Sequence, residues 1–453
     1  MIAGTEDISV LAGGPAGLSV GYYARKHNIP FTIYEAGDRV GGNCITHQYG
    51  DFRFDSGAHR LHDKDEEVTR EIQQLLGDEM HRVSAPSQIF FRGKYIDFPL
   101  SPLDLLRKIG TLEFSKAGLD FLNARLNKAD MDGTFESLAM YRYGRGIAEK
   151  FLLNYSEKLW GLPCRQLSPN VSGKRLKGLD LRTFLIEATL GKMAKTQHLD
   201  GSFYYPKMGY GRVAEKMEEF CGSENICLNH RINRVVHDGR AIRSFGIEGS
   251  DRAYRVKQVV STLPLSLLIR IMEPAPPKQI VDLANSLKYR HLRLVALFLD
   301  KASVNANATV YFPEKEFPFT RIYEPRNRSP FMSPAGKTSL VLEIPCHMED
   351  EIWELSNEAL VSVVVGKLIE IGWIQSDEVI DSWCGRLNYA YPILEFGFEE
   401  KVARIFDWLD RFENLSLSGR NGKFAYTHLH DMMRFGKEIV EEHLALVPIV
   451  QAS

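Results

Sequence analysis

Ile8-Ser-Val-Leu11-Ala12-Gly13-Gly14-Pro15-Ala16-Gly17 is a short β run that enters a glycine-rich turn and leaves it as a helix. The β-compatible residues Ile8 to Leu11 precede the turn. The stretch from Ala16 to Lys26 reads as helical, with Leu18, Tyr22 and Ala24 for its inner side. A turn of this kind lets backbone approach a pyrophosphate, whose charge is favoured by the exposed N–H groups of a helix N-terminus. A second strand, Phe31 to Tyr34, ends in Glu35, at the separation from the glycines where a ribose-binding carboxylate belongs. Gly13, Gly14, Pro15, Ala16 and Glu35 are therefore expected to hold a dinucleotide. The usual first glycine of the Gly-x-Gly-x-x-Gly spacing is Ala12 here, and its methyl group is expected to tighten the turn.

The residues after Glu35 select the dinucleotide. Glu35-Ala36-Gly-Asp-Arg39-Val-Gly41-Gly42-Asn43 resembles the glutamate, arginine and paired-glycine stretch of the FAD enzymes that include amine oxidases, protoporphyrinogen oxidase and UDP-galactopyranose mutase. Phe52-Arg-Phe-Asp55-Ser-Gly57-Ala58-His59 resembles the mutases' Phe-x-x-Asp-x-Gly-Gly-His, with alanine at the second glycine. Near the other end, Asn414-Leu-Ser-Leu-Ser-Gly419-Arg420, followed by a helix from Asp431 to His443, resembles the closing flavin motif of the same superfamily. The resemblance implies an α/β fold: a Rossmann-type, glutathione reductase-like FAD-binding domain with inserted mixed α+β substrate-binding segments. It implies FAD as cofactor, contacted also by Ala36, Arg39, Gly42, Asn43, His59, Val235, Gly419, Arg420, His430, Asp431 and Met432. The family's aspartate before the last helix is His430 in this register, with Asp431 next, and an N-cap role for Asp431 is the structural alternative.

Length and composition fit a large flavoenzyme. The chain has 453 residues, 44% of them apolar, and a formal charge of −2, so no basic field points to nucleic acid. Its six cysteines are scattered without a zinc-like spacing, and no metal is expected. No apolar run approaches the roughly 20 residues that span a bilayer. A nucleotide site so near Met1 leaves no room for a cleavable leader, and a reduced, cytoplasmic protein is the expectation. The FAD-binding domain is expected in three pieces, 1–80, 201–270 and 385–453. A mainly helical insertion, 81–200, and a substrate-binding insertion, 271–384, separate them.

Four shorter stretches narrow the resemblance. Asn154-Tyr155-Ser-Glu-Lys158-Leu-Trp160-Gly161 is similar to the mutases' Tyr-x-x-Lys-x-Trp-Gly, and Gly173-Lys-Arg175-Leu to the place where they present an arginine to a diphosphate. Phe319-Thr-Arg321-Ile-Tyr323-Glu324 resembles their strand with a second such arginine, and Tyr389-Ala-Tyr391-Pro392 a tyrosine–proline stretch near sugar and phosphates. The resemblance implies Tyr155, Trp160, Arg175, Arg321, Tyr323 and Tyr391 at a small-molecule substrate, with His59, Arg175 and Arg321 as catalytic candidates. Two guanidiniums can grip a diphosphate bidentately, and Trp160 and Tyr155 can line a nucleobase or sugar pocket by stacking and hydroxyl donation. Against this stand the bland readings of surface arginines, core aromatics and a histidine that only braces a loop. Three functions remain: a nucleotide-sugar mutase acting through flavin N5; an oxidase or dehydrogenase moving hydride from substrate to flavin; and a scaffold whose flavin is structural or sensory. The reductant or electron acceptor is left open.

Overall fold

The computed structural model describes residues 7–126, 132–172 and 202–446. Ile8–Leu11 is the central strand of a five-stranded parallel sheet in the order Leu415–Leu417, Gln258–Ser261, Ile8–Leu11, Phe31–Tyr34, Ile226–Cys227. Leu11 lies opposite both Ser261 and Tyr34, and Ser261 opposite Leu417. The carboxyl ends of four strands therefore meet along one edge. The first strand has its chain-later neighbours on both sides, which makes that edge the topological switch point where ligands of open α/β sheets bind.

The helix after the turn, Pro15–Lys26, begins with proline in its first turn, where a missing N–H costs nothing. Its far face packs on the long last helix, Leu429–Leu446. A Cβ at Gly436 would stand 2.8 Å from that of Ser19, so the close crossing of the two helices needs glycine there. A four-stranded sheet in the order Ala253–Arg255, Ile242–Ile247, Ile232–His237, Met272–Glu273 adjoins this domain. The Asp238-Gly239 turn joins its two middle strands as expected.

A seven-stranded mixed sheet forms the second lobe. Its order is Val379–Pro392, Tyr289–Leu299, Thr338–Cys346, Arg321–Tyr323, Thr309–Tyr311, Ser87–Phe91, Lys94–Phe98. Tyr289–Leu299 is buried along its whole length, which matches its run of large apolar residues between two long partners. Two features differ from the expected organisation. Ser87–Phe91 and Lys94–Phe98 make residues 81–200 more than a helical insertion, and Val379–Pro392 crosses the expected boundary at 384/385 as one strand.

The helical stretches carry glycine breaks. Gly110, at φ +86, separates Pro102–Ile109 from Thr111–Leu126. Gly144 ends Phe135–Tyr143 at φ +74, where a Cβ would press to 2.6 Å from the Phe121 nitrogen. A π-helical turn, Ala148–Leu153, then re-aims the chain into Asn154–Trp160. Among the described residues no helix is long and apolar enough to cross a membrane.

Candidate active site

Three glycine-bearing segments close on the N-terminus of Pro15–Lys26. Gly14 is its N-cap, with no side chain capping the helix and no atom within 4 Å of where a Cβ would sit. Gly41 donates its N–H to the Gly13 carbonyl at 2.9 Å, and a Cβ at Gly42 would lie 3.3 Å from the Gly14 Cα. From the other side, a Cβ at Gly419 would lie 3.0 Å from that of Ala16. At Gly17 a Cβ would collide with the Ala12 carbonyl oxygen at 2.0 Å. Ala12 itself takes φ +88, so the residue in the first glycine position adopts the conformation that favours glycine. Glu35 faces this turn: its two oxygens accept from the N–H groups of Gly13 at 2.7 Å and Gly37 at 2.8 Å.

An uncapped helix start, side-chain-free backbone on three segments and a carboxylate at the second strand end fit a dinucleotide with an anionic pyrophosphate. Gly13, Gly14, Pro15, Ala16, Glu35, Gly42 and Gly419 are brought together. Ala36 and Arg39 lie just beyond Glu35, with Arg39 exposed. Val235 is fully buried within the four-stranded sheet and its N–H is engaged by the Ile271 carbonyl.

His59 stands beside this cradle. Its Nε2 is 2.9 Å from the Asn43 carbonyl, so that nitrogen carries the proton and Nδ1 is left as an acceptor. Burial, then the charges of Arg420, Arg321 and Arg328, pushes its pKa down to about 3, and the ring is neutral near pH 7. Tyr210 stacks on it with centroids 5.2 Å apart and 20° between planes, while Arg328 holds its carbonyl at 3.0 Å. Beneath lies Asp55, fully buried, which accepts from the Tyr205 hydroxyl at 2.6 Å, the Thr46 hydroxyl at 2.7 Å and the Tyr210 N–H at 2.9 Å. Tyr210 and Arg328 lie outside every motif of the sequence that points to the site. A signal for Tyr210 existed, since Gly209-Tyr210-Gly211 sits between the strand Phe203–Pro206 and the helix Arg212–Cys221.

The substrate candidates form one wall. Arg321 Nε donates to Glu343 at 2.6 Å, and its Nη2 to the Tyr391 hydroxyl at 3.0 Å. The second Glu343 oxygen accepts from the Ala58 N–H at 2.7 Å, so one buried carboxylate joins the arginine to the loop of His59. Burial works against the Arg321 charge, but Glu343 outweighs it and holds the guanidinium well above its ordinary pKa. Trp160 meets Tyr391 at 5.9 Å and Tyr426 at 5.7 Å, both edge-on. Arg420 lies over the rings of Tyr391 and Tyr426 at 5.3 and 5.4 Å, anchored to the Ala390 and Thr427 carbonyls. Tyr155 packs edge-on against Tyr311 at 5.7 Å. Tyr323 is enclosed instead: it is 1% exposed, its hydroxyl donates to the Asp55 carbonyl, and Arg328 covers its ring. Arg175 lies outside the described residues. Glu343 and Tyr426 were missed, although an acid inside the apolar run Leu340–Ile344 is a visible irregularity.

At the last helix, Asp431 is the third helical residue, not the N-cap. It reaches back to the His428 N–H at 2.8 Å, half of a capping box. Burial would raise its pKa, but hydrogen bonding from His428 and the nearby imidazoles bring it down to about 2. His428 and His430 stack at 5.6 Å, and ligand atoms of these histidines and Asp431 lie within 4.8 Å of one another. Met432 gives its N–H to the His428 carbonyl at 3.1 Å, the first bond of the helix ladder, so that N–H is already engaged.

The nucleotide cradle, the second lobe docked on it and the His59 loop between them define an FAD-dependent enzyme. The chain belongs to the flavin-containing amine oxidoreductase family, which it matches over residues 15–382. A reduced UDP-galactopyranose mutase structure superposes with a TM-score of 0.85 at 18% identity, over 98% of this chain and 94% of that one. Cyclohexylamine oxidase from Brevibacterium oxydans IH-35A gives 0.70 at 14% identity, over 97% and 99%. Wild-type putrescine oxidase bound to putrescine gives 0.63 at 16%, again over 97% and 99%. These likenesses are of fold.

Proposed function

We propose that this flavoenzyme acts on a nucleotide sugar, with mutase-type chemistry that reopens the sugar ring and closes it in another size. The observation that carries this reading is the wall of Arg321, Tyr391 and Trp160, tied by Glu343 to the loop of His59. A diphosphate suits it: Arg321 keeps a further guanidinium edge beyond its bonds to Glu343 and Tyr391, and planar forks match phosphate oxygens. Trp160, 2% exposed and edge-on to Tyr391 and Tyr426, braces this wall from behind rather than offering a ring face to the ligand. On sequence grounds Arg175 is the second arginine of the clamp. When bound, FAD supplies N5 as the reactive atom. His59, held neutral with Nδ1 as its acceptor nitrogen, can accept a hydrogen bond there, while a pKa of about 3 keeps it from taking up a proton near pH 7. The discontinuous FAD-binding domain and its two insertions would then hold cofactor and substrate respectively.

Hydride transfer from another substrate is the second reading, and the family match favours it. The charges weigh against its amine form. Arg321 and Arg420 both sit at Tyr391; Glu343 compensates Arg321, and the charge of Arg420, held by backbone carbonyls, is left to repel a cationic amine. The test uses holoprotein reduced with dithionite and given UDP-galactopyranose without oxygen. A furanose product formed only by reduced protein supports the mutase. Absence of product, with substrate-driven bleaching of the oxidised flavin, establishes hydride transfer instead.

A further inference from the structure

The helix Asn154–Trp160 carries Tyr155 and Trp160, but its Lys158 points elsewhere. Lys158 Nζ donates to the carbonyls of Phe312 at 2.7 Å, Glu314 at 2.8 Å and Phe319 at 2.9 Å. An ammonium has three N–H bonds, and each finds one acceptor. All three carbonyls belong to the loop between the strands Thr309–Tyr311 and Arg321–Tyr323. That loop is closed by the Phe312 N–H to the Thr320 carbonyl at 2.8 Å, and Thr320 donates in turn to the Glu343 carbonyl at 2.9 Å. The next residue is Arg321. On the opposite side, buried Arg290 holds the helix end, donating to the Lys158 carbonyl at 3.2 Å and the Leu159 carbonyl at 3.1 Å.

We infer that Lys158 is a positioning residue, whose ammonium fixes the helix of Tyr155 and Trp160 against the loop that delivers Arg321. The consequence for ligands rests on the nucleotide-sugar reading; the anchoring itself does not. Without this cation, three carbonyls would converge on a partly buried space with no donor, an arrangement that separates the two elements. Burial pushes the Lys158 ammonium down to about 7, against the pull of Glu314 and Glu316 on the loop. The remaining charged groups here are Lys315, which pairs with Glu157 of the helix at 3.6 Å, and Arg290. Three acceptors at 2.7–2.9 Å match the three N–H bonds of the ammonium, and a neutral amine could serve only two of them.

The experiment compares the wild-type holoprotein with Lys158→Met and Lys158→Arg, all loaded with FAD, using UDP as the probe. Lys158→Met is expected to bind UDP about tenfold more weakly than wild type, the loss of one good contact. Lys158→Arg, which keeps a charged donor for the loop carbonyls, is expected to recover most of that loss. Hydrogen exchange read without nucleotide should show protection at 312–320 lost in Lys158→Met and kept in Lys158→Arg. Unchanged protection at 312–320 in Lys158→Met overturns the inference, whatever its UDP affinity. If no protein binds UDP while protection at 312–320 is lost in Lys158→Met, the nucleotide-sugar reading fails and the anchor stands. If Lys158→Met does not fold, Lys158→Arg decides: wild-type protection supports the anchor, and protection lost with the charge kept overturns it.

Discussion

Replacing Glu343 by glutamine tests the junction on which the site depends. Glu343 is 1% exposed and uses both oxygens, one on Arg321 Nε at 2.6 Å and one on the Ala58 N–H at 2.7 Å. An amide has one oxygen, so whichever way it turns its NH2 faces a donor. Arg321 also loses the charge that compensates it. Breaking one partner of a buried ion pair costs about 3–5 kcal/mol. Unfolding entropy of roughly 2.1 cal/mol/K per residue makes about 1 kcal/mol/K for a chain of this size, so Tm should fall by about 3–5 °C. The assay is thermal melting of the holoprotein, followed by circular dichroism and by release of flavin fluorescence. The control is Arg321→Met combined with Glu343→Leu, which removes both charges and should cost less than the two single changes added together. A Glu343→Gln protein within about 0.5 kcal/mol of wild type would refute the reasoning, that figure being the usual effect of an inert surface change. Strict additivity in the double variant would refute it too.

Three further outcomes are expected. Ala12→Gly should raise stability, because an alanine held at φ +88 costs about 1–2 kcal/mol and the added freedom of glycine in the unfolded chain offsets about 0.4–1 kcal/mol of that; an unchanged or lower denaturant midpoint contradicts the strain. His59 has a folded pKa of about 3, against roughly 6.5 for the unfolded group, so the unfolded chain binds the extra proton between those values. Its contribution is complete above pH 6.5 and is lost as pH falls toward 3, about 2.5 kcal/mol by pH 4.5. Urea midpoints at pH 7 and 4.5 should differ less in His59→Gln than in wild type, and equal differences would show that His59 is not held neutral. Asp431→Ala should cost about 1 kcal/mol, since the His428 N–H loses its acceptor and the helix start its negative charge; a melting curve that coincides with wild type would show that bond to be unimportant.

The parts legible in the sequence are those built from near neighbours in the chain. Gly13, Gly14 and Glu35 lie within one strand–turn–helix–strand unit, and the turn chemistry of Gly419 is equally local, so periodicity and glycine spacing placed them. The seven-stranded sheet was not legible in the same way. Ser87–Phe91 joins it by pairing with Thr309–Tyr311, a contact that no local pattern announces. Glu343, Tyr210 and Lys158 escaped for the same reason, because each acts on residues more than 140 positions away in the chain. Tyr323 shows the opposite failure: a motif position beside Arg321 was read as facing substrate, whereas its hydroxyl finds Asp55 and seals the floor below His59. Asp431 belongs to the expected helix start, but as its third helical residue and not as the N-cap, which is His428.

The central claim is that flavin and the Arg321 wall share one site. It is tested most directly by titrating the oxidised holoprotein with UDP and recording the visible flavin difference spectrum, for wild type and Arg321→Ala. A saturable change in wild type, much weakened in Arg321→Ala with FAD still bound, is the predicted result. A wild-type spectrum indifferent to UDP, or one perturbed equally in Arg321→Ala, would contradict it.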